Sequence, residues 1–390
     1  MLLETPDVEI RPGEHAVELV WQDGHVSSYG WLWLRDCCGC EQCRGDGTTQ
    51  RLSDVAALPA APKPSVVARR DHRLVVSWVP GGHESHYELA WLRARCSCCA
   101  RGQGPPEIRR RWNGATEAAP FRCSVGELRS DDSALEAWLA AVAGAGIAVL
   151  EGVGIAPRSL TGVVELFGYI RETNYGQIFD VVTRVDPRNL AFTSLPLGPH
   201  TDNPYRDPVP TLQLLHCLAS SAGGGESIFV DGLEAAAVLA AEDPDAFGLL
   251  SELAVQWRYV DESAELICRA PVLGVDGEGL LTTVRFNERA RVPSTFTSEV
   301  ADAHLRALRT FAALLERRDL QLRLRLEPGE LVCFDNLRVL HGRTGFDAGG
   351  ERHLQGCYAD RDGLASRLAV LRRLRAQKVA AVEAPGDEGA

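Results

Sequence analysis

A chain of 390 residues is longer than one ordinary hydrophobic core supports and points to two domains. Its 45% hydrophobic and 24% charged content excludes intrinsic disorder, and a net charge of −12 excludes the basic stripe a nucleic-acid surface needs. No apolar run reaches bilayer length, and the acidic, proline-interrupted Met1–Arg11 is unlike a signal peptide.

The expectation is therefore a cytoplasmic protein without membrane contact, its cysteines reduced or bound to metal. The N-terminal part reads as small β structure. Val17–Trp21 and His25–Tyr29 flank Asp23-Gly24, a hairpin-turn signal. A strand over Arg73–Trp78 ends in Pro80-Gly81-Gly82, and Glu88–Arg95 reads as a helix. The Gly/Pro-punctuated, arginine-rich stretch that follows is the expected linker. It separates a domain over 1–104 from one over 123–390, with 105–122 between them. Ser133–Ala143 reads as an amphipathic helix capped by Ser133, followed by a short apolar strand over Gly146–Leu150.

Farther on, Thr211–Leu218, Ser227–Asp231, Leu280–Phe286 and Gln321–Leu326 read as strands, interrupted by helices over Leu233–Glu242 and Glu299–Arg317. Leu331–Phe334, Val339–His341 and Arg352–Tyr358 complete the strands; Gly363–Gln377 reads as a helix and Glu383–Ala390 as a frayed end. Many strands broken by turns and a few helices predict a mostly β protein whose larger domain is a jelly-roll barrel with flanking helices.

Two constellations carry chemistry. His200-Thr201-Asp202, with His341 in Leu340-His341-Gly342-Arg343, supplies two imidazoles and a carboxylate. On one face of an octahedral ion this set leaves three adjacent positions open, the pattern of non-haem Fe(II) oxygenases. His200 and Asp202, two apart on an extended strand, reach the same side. The positive charge of Arg352 suits the far carboxylate of an anionic co-substrate.

Cys38-x-Cys40-x2-Cys43 is the second constellation, three thiols spaced to share one tetrahedral zinc. His83, just past the Arg73–Trp78 strand, is the candidate fourth ligand, with His86 as the competitor. Such a closed site is structural, a staple for a small domain. Cys37 is adjacent but cannot easily share the ion. Cys96, Cys98 and Cys99 have no evident further ligand in the sequence and read as thiols at a helix end.

The chain resembles the family of γ-butyrobetaine and trimethyllysine hydroxylases, Fe(II)/2-oxoglutarate dioxygenases. The resemblance lies in Trp33 through Cys43, Trp78 through His83, Pro199-His200-Thr201-Asp202, Gln213 through Cys217, Gly224 through Ser227 and Val230-Asp231-Gly232. It continues in Phe334-Asp335-Asn336, Leu340 through Arg343 and Arg352 through Asp360. It implies a zinc-bearing N-terminal β domain, a double-stranded β-helix catalytic domain and a homodimer. It further implies Fe(II), 2-oxoglutarate, O2, ascorbate and a structural Zn(II), with a small molecule as substrate.

Carried over residue by residue, iron would be held by His200, Asp202 and His341, and zinc by Cys38, Cys40, Cys43 and His83. Arg352 would pair with 2-oxoglutarate, with Ser227 and Asn189 nearby. An aromatic cage for a trimethylammonium group would be Tyr175, Phe179, Phe192 and Tyr358, two of them Phe where a family member carries Trp and Tyr. Asn287 would face the substrate carboxylate. Asn203 stands where the hydroxylase has a Tyr. The implied reaction is hydroxylation of an unactivated C–H of a small trimethylammonium carboxylate, with release of succinate and CO2. The Asn203 and Phe departures leave another betaine, a phosphonate analogue or a natural-product intermediate as the alternative substrate. A non-catalytic, zinc-dependent interaction protein is the alternative from a different class.

Overall fold

The computed structural model describes residues 8–44, 50–52, 54–98, 109–114, 120–182, 193–347 and 349–383. The chain forms two compact units, Met1–Pro106 and Glu107–Ala390.

The first unit contains two three-stranded antiparallel sheets, one of Val8–Pro12, Ala16–Trp21 and Val26–Gly30, the other of Lys63–Arg70, Arg73–Val79 and Glu84–Glu88. Gly24 takes the positive φ of 77° that the Asp23-Gly24 turn requires, and Val20 pairs with Val26 across the hairpin. Side chains alternate along a strand, so Val17, Leu19 and Trp21 turn inward while Glu18 faces solvent. They meet Leu74, Val76 and Trp78 from the second sheet. The buried indoles of Trp21 and Trp78 have their N–H groups satisfied: Trp21 donates to Ser27 at 2.8 Å and Trp78 to Ser85 at 2.9 Å. A short helix over Trp31–Asp36 lies outside the sequence expectations and places Trp31 and Leu34 in the same core. The helix expected from Glu88 is Leu89–Arg93.

The second unit is built on two larger sheets. In one, the order is Phe121–Ser124, Ile147–Glu151, Leu331–Asp335, Leu212–Ser220, Arg352–Ala359 and Phe179–Val181. In the other it is Leu197–His200, Val339–Arg343, Ser227–Asp231 and Gln321–Leu324. The six-stranded sheet is buried on both faces, and strand alternation sorts its residues between them. Leu212, Leu214, Cys333, Cys357 and Ala359 pack under the helices Asp132–Ala145 and Arg361–Glu383, against Trp138, Leu139, Leu364 and Leu368. Leu215, Cys217, Val332, Phe334 and Leu354 point the other way and meet Phe229 and Val339 of the four-stranded sheet. One core therefore lies between two facing sheets and another between the six-stranded sheet and the helices that cover it.

Several expectations shift. The helix expected from Ser133 starts at Asp132, and its cap is Asp131, whose carboxylate accepts the Ser133 N–H at 2.8 Å. The helix Val125–Ser130 carries a complete capping box from Ser124 and Glu127, and Pro244–Glu252 is a further helix capped by Asp243. Val255–Val260 and Glu265–Ala270 form a hairpin absent from the expectations. Within the expected linker, Trp112 is buried and its indole donates to the Ala145 carbonyl at 2.7 Å. Arg338, fully buried, donates to both oxygens of Asp231, at 2.9 and 2.8 Å, and to the carbonyls of Gly144 and Arg110. That pair fastens the start of the unit to the sheets. The C-terminal helix extends over Arg361–Glu383, and the expected frayed end beyond it lies outside the described residues. No helix among the described residues is long and apolar enough to cross a membrane.

Candidate functional site

Antiparallel pairing of Leu197–His200 with Val339–Arg343 makes His200 and His341 direct cross-strand partners. Their ring centroids are 4.4 Å apart. Gly342 permits this pairing, since a Cβ there would lie 2.5 Å from the Leu197 carbonyl oxygen. Asp202 is not on the strand as the two-residue spacing predicts; it follows the strand end in a bend. The Asn336 side chain holds it there, accepting the Asp202 N–H at 2.8 Å and donating to the Asp202 carbonyl at 2.9 Å. One Asp202 carboxylate oxygen lies 3.5 Å from His200 Nε2 and the other 3.7 Å from His341 Nε2. One ligand atom from each of the three residues falls within 4.8 Å of the other two.

This donor set fits a divalent ion. His200 Nδ1 donates to the Gly198 carbonyl at 3.0 Å, which turns Nε2 toward Asp202. Burial, with His200 beside it, pulls the His341 imidazolium down to about 3, so the ring is neutral and able to ligate. The Asp202 carboxylate accepts from Gln213 at 2.9 Å and from the Tyr358 hydroxyl at 2.9 Å. Burial and the neighbouring Asp202 hold the Tyr358 hydroxyl well above its usual range, so it stays a donor.

The three donors open onto a cavity of about 380 Å³, a size suited to small molecules. Arg352 and Ser227 line it, as do Tyr175, Phe179, Tyr358, Asn203 and Asn287; Asn189 and Phe192 lie outside the described residues. Arg352 donates to the Gly225 carbonyl at 3.2 Å, and both Arg352 and Arg343 lie against the Phe346 ring, at 5.6 and 5.2 Å. Phe179 and Tyr358 stand 5.2 Å apart and Tyr175 and Phe179 6.3 Å. A Cβ on Gly356 would lie 2.5 Å from the Phe179 ring, so the missing side chain is what admits that ring. The Asn287 amide donates to the Thr201 carbonyl at 3.1 Å, while Asn203 accepts from the Tyr205 hydroxyl at 3.0 Å.

Sequence reasoning missed Tyr205, Tyr259 and Arg289. Tyr205 and Tyr259 stack at 5.0 Å, and the Tyr175 hydroxyl lies 3.0 Å from that of Tyr205, which doubles the aromatic wall. The alternation of Val255–Val260 could have revealed the strand that carries Tyr259. Arg289, which also lines the cavity, adds a cation two residues beyond Asn287.

In the N-terminal unit, His83 Nε2 lies 3.3 Å from Cys38 Sγ and 3.7 Å from both Cys40 and Cys43. Ordinary Zn–S and Zn–N bonds in a tetrahedron give edges of about 3.5 Å, so this set fits zinc. His86 instead lies 2.7 Å from Glu84, and Cys37 is not among the clustered donors.

Comparison with known proteins bears on the whole chain. Residues 114–358 match the taurine catabolism dioxygenase TauD, TfdA family, and residues 8–69 match the gamma-butyrobetaine hydroxylase-like N-terminal family. A gamma-butyrobetaine dioxygenase of Pseudomonas sp. (strain AK-1) is 39% identical, the alignment covering 92% of this chain and 94% of that protein. The gamma-butyrobetaine dioxygenase of Homo sapiens is 31% identical over 94% of this chain and 96% of its own length. A trimethyllysine dioxygenase of Gallus gallus is 31% identical over 92% of this chain and 86% of its own length.

Proposed function

This chain belongs to the taurine catabolism dioxygenase TauD, TfdA family and is an Fe(II)- and 2-oxoglutarate-dependent dioxygenase; we propose that it hydroxylates a small trimethylammonium carboxylate of the γ-butyrobetaine type. The observation that carries the reading is the convergence of His200, Asp202 and His341 on a cavity also lined by Arg352 and an aromatic wall.

Iron, with 2-oxoglutarate and O2 as co-substrates, would supply the chemistry: decarboxylation to succinate and CO2, coupled to insertion of one oxygen atom into a substrate C–H bond. His200, Asp202 and His341 would hold the ion on one face, within the double-stranded β-helix of the larger domain. Asn336 keeps Asp202 in position, and Gln213 and Tyr358 hold its carboxylate oriented and satisfied. The Arg352 guanidinium, with Ser227 and Asn189, would take the far carboxylate of 2-oxoglutarate, a bidentate match that Lys would not reproduce. Leu197, Leu215, Phe229 and Leu354 line the same cavity with apolar surface and keep water from the reacting centre.

A quaternary ammonium has no hydrogen to donate, so π faces are the natural way to hold it, each contributing roughly 0.5–2 kcal/mol. Tyr175, Phe179, Phe192 and Tyr358 would provide them, backed by Tyr205 and Tyr259. Asn203, Asn287 and Arg289 would receive the carboxylate. Incubation with Fe(II), ascorbate, 2-oxoglutarate and γ-butyrobetaine should give betaine-stimulated succinate. Stimulation by none of a panel of trimethylammonium acids would overturn the substrate class. Stimulation by a longer betaine or a phosphonate instead would favour the second reading, which the short amide of Asn203 motivates.

The N-terminal domain, 1–104, would carry one structural zinc on Cys38, Cys40, Cys43 and His83. We propose a homodimer, in line with the resemblance, and a cytoplasmic location.

A further inference from the structure

The cysteines at the end of the helix Leu89–Arg93 do not stand alone. The fold carries His25, from the far side of the first hairpin, to within 3.2 Å of Cys96 Sγ and 3.2 Å of Cys98 Sγ, measured from Nε2. The two sulfurs lie 2.9 Å apart. We propose that His25, Cys96 and Cys98 form a second binding site for a zinc-class cation, separate from Cys38, Cys40, Cys43 and His83 and independent of the oxygenase reaction.

The arrangement repeats the local design of the first cluster, a Cys-x-Cys pair whose sulfurs bracket one imidazole nitrogen. There the two distances are 3.3 and 3.7 Å; here both are 3.2 Å. Zinc needs S–N edges of about 3.5 Å and an S–S edge of about 3.8 Å, so rotation of Cys98, whose side chain is exposed, would open the triangle around the ion.

The backbone that carries the donors is fixed by other contacts. Trp21 N–H donates to the His25 carbonyl at 2.8 Å and closes the turn. Arg93 donates to Asp23 at 2.8 Å and lies over the Trp21 ring at 5.3 Å, joining the turn to the helix end. The Tyr29 hydroxyl, donating to the Leu92 carbonyl at 2.6 Å, adds a second tie. The three donors are thus brought together before any metal arrives, which lowers the ordering cost of binding.

Thiolate and imidazole donors select zinc over the oxygen-seeking divalent ions. Each coordinating thiol releases its proton to solvent on binding, so occupancy should rise with pH. Cys96 is buried and Cys98 exposed, so the site stands at the surface, open to exchange with external zinc. Cys99, the next residue, lies outside the described residues.

The test uses the full chain purified under reductant. Elemental analysis should find one more zinc equivalent in the wild type than in the Cys96→Ser/Cys98→Ser double variant, with 2-oxoglutarate turnover retained to report an intact fold. In the wild type, alkylation of Cys98 should be slow with zinc present and fast once a chelator is added. Cobalt substituted for zinc should show sulfur-to-cobalt absorption that weakens in the double variant. Equal zinc content in both proteins overturns the proposal, as does an alkylation rate that zinc leaves unchanged. A Cys96–Cys98 disulfide in the reduced preparation would do the same.

Discussion

In the larger unit two of the three ligand-type side chains ride on the sheet, and Asp202 follows a strand end. His200 and His341 are cross-strand partners, and His341 also pairs with Phe229 on its other side. In the N-terminal unit no donor of either cluster lies on a strand. His25 and His83 sit beside tight turns, and Cys38, Cys40, Cys43, Cys96 and Cys98 occupy loops, a bend or short helical turns. A sheet core supports the first arrangement whether or not a metal is present. The second must be held by turns, caps and, on the reading above, by zinc itself. On that reading metal is an addition to one unit and would be part of the framework of the other.

The largest effect that would test this contrast is removal of zinc. Cys40→Ser, or a strong thiol-competing chelator, should unfold the N-terminal unit, because structural zinc contributes on the order of 10 kcal/mol to small domains. Hydrogen exchange should then show lost protection in the strands around Trp21 and Trp78, with the strands around Leu214 and Phe334 still protected. Uniform loss, or none, would break the contrast.

Next comes Asp202→Ala. Turnover of 2-oxoglutarate should fall by at least about a hundred-fold, and the iron of the catalytic unit should be lost while zinc stays bound. Loss of both metals would contradict the separation of the sites. Asn336→Ala acts one step further out, since it touches Asp202 only through the backbone N–H and carbonyl. An iron affinity lower by about 10- to 100-fold, with the melting temperature little changed, is the expected result.

The smallest effect sharpens the substrate assignment. Tyr175→Leu should raise the KM for a trimethylammonium substrate by roughly 2- to 30-fold and leave the KM for 2-oxoglutarate unchanged. Equal changes in both would argue that Tyr175 supports the cavity rather than the cation.

Much of the site was legible because its informative residues lie close together in the chain. His200-x-Asp202, the Cys38-to-Cys43 run and the Asp23-Gly24 turn all act over a few residues, where spacing and chemistry suffice. The strand Ser227–Asp231 was likewise readable from its apolar run. Two of the missed helices carry local signals at their starts, the Ser124/Glu127 capping box and Asp243 followed by Pro244. Tyr259 escaped although the alternation of Val255, Trp257 and Tyr259 with Gln256 and Arg258 marks its strand. Placing Asp202 on a strand was wrong for a different reason: its position is imposed by Asn336, far away in the chain.

The amino-acid sequence by itself determined which chemistries were available: soft thiols in one half, and two imidazoles with a carboxylate in the other. Only the tertiary structure decided the company those groups keep. It brought His25 to Cys96 across 71 residues and set Asn336 beneath Asp202. Such pairings follow from strand register and the packing of buried faces, which sum contacts over the whole chain and leave no mark in any short window of it.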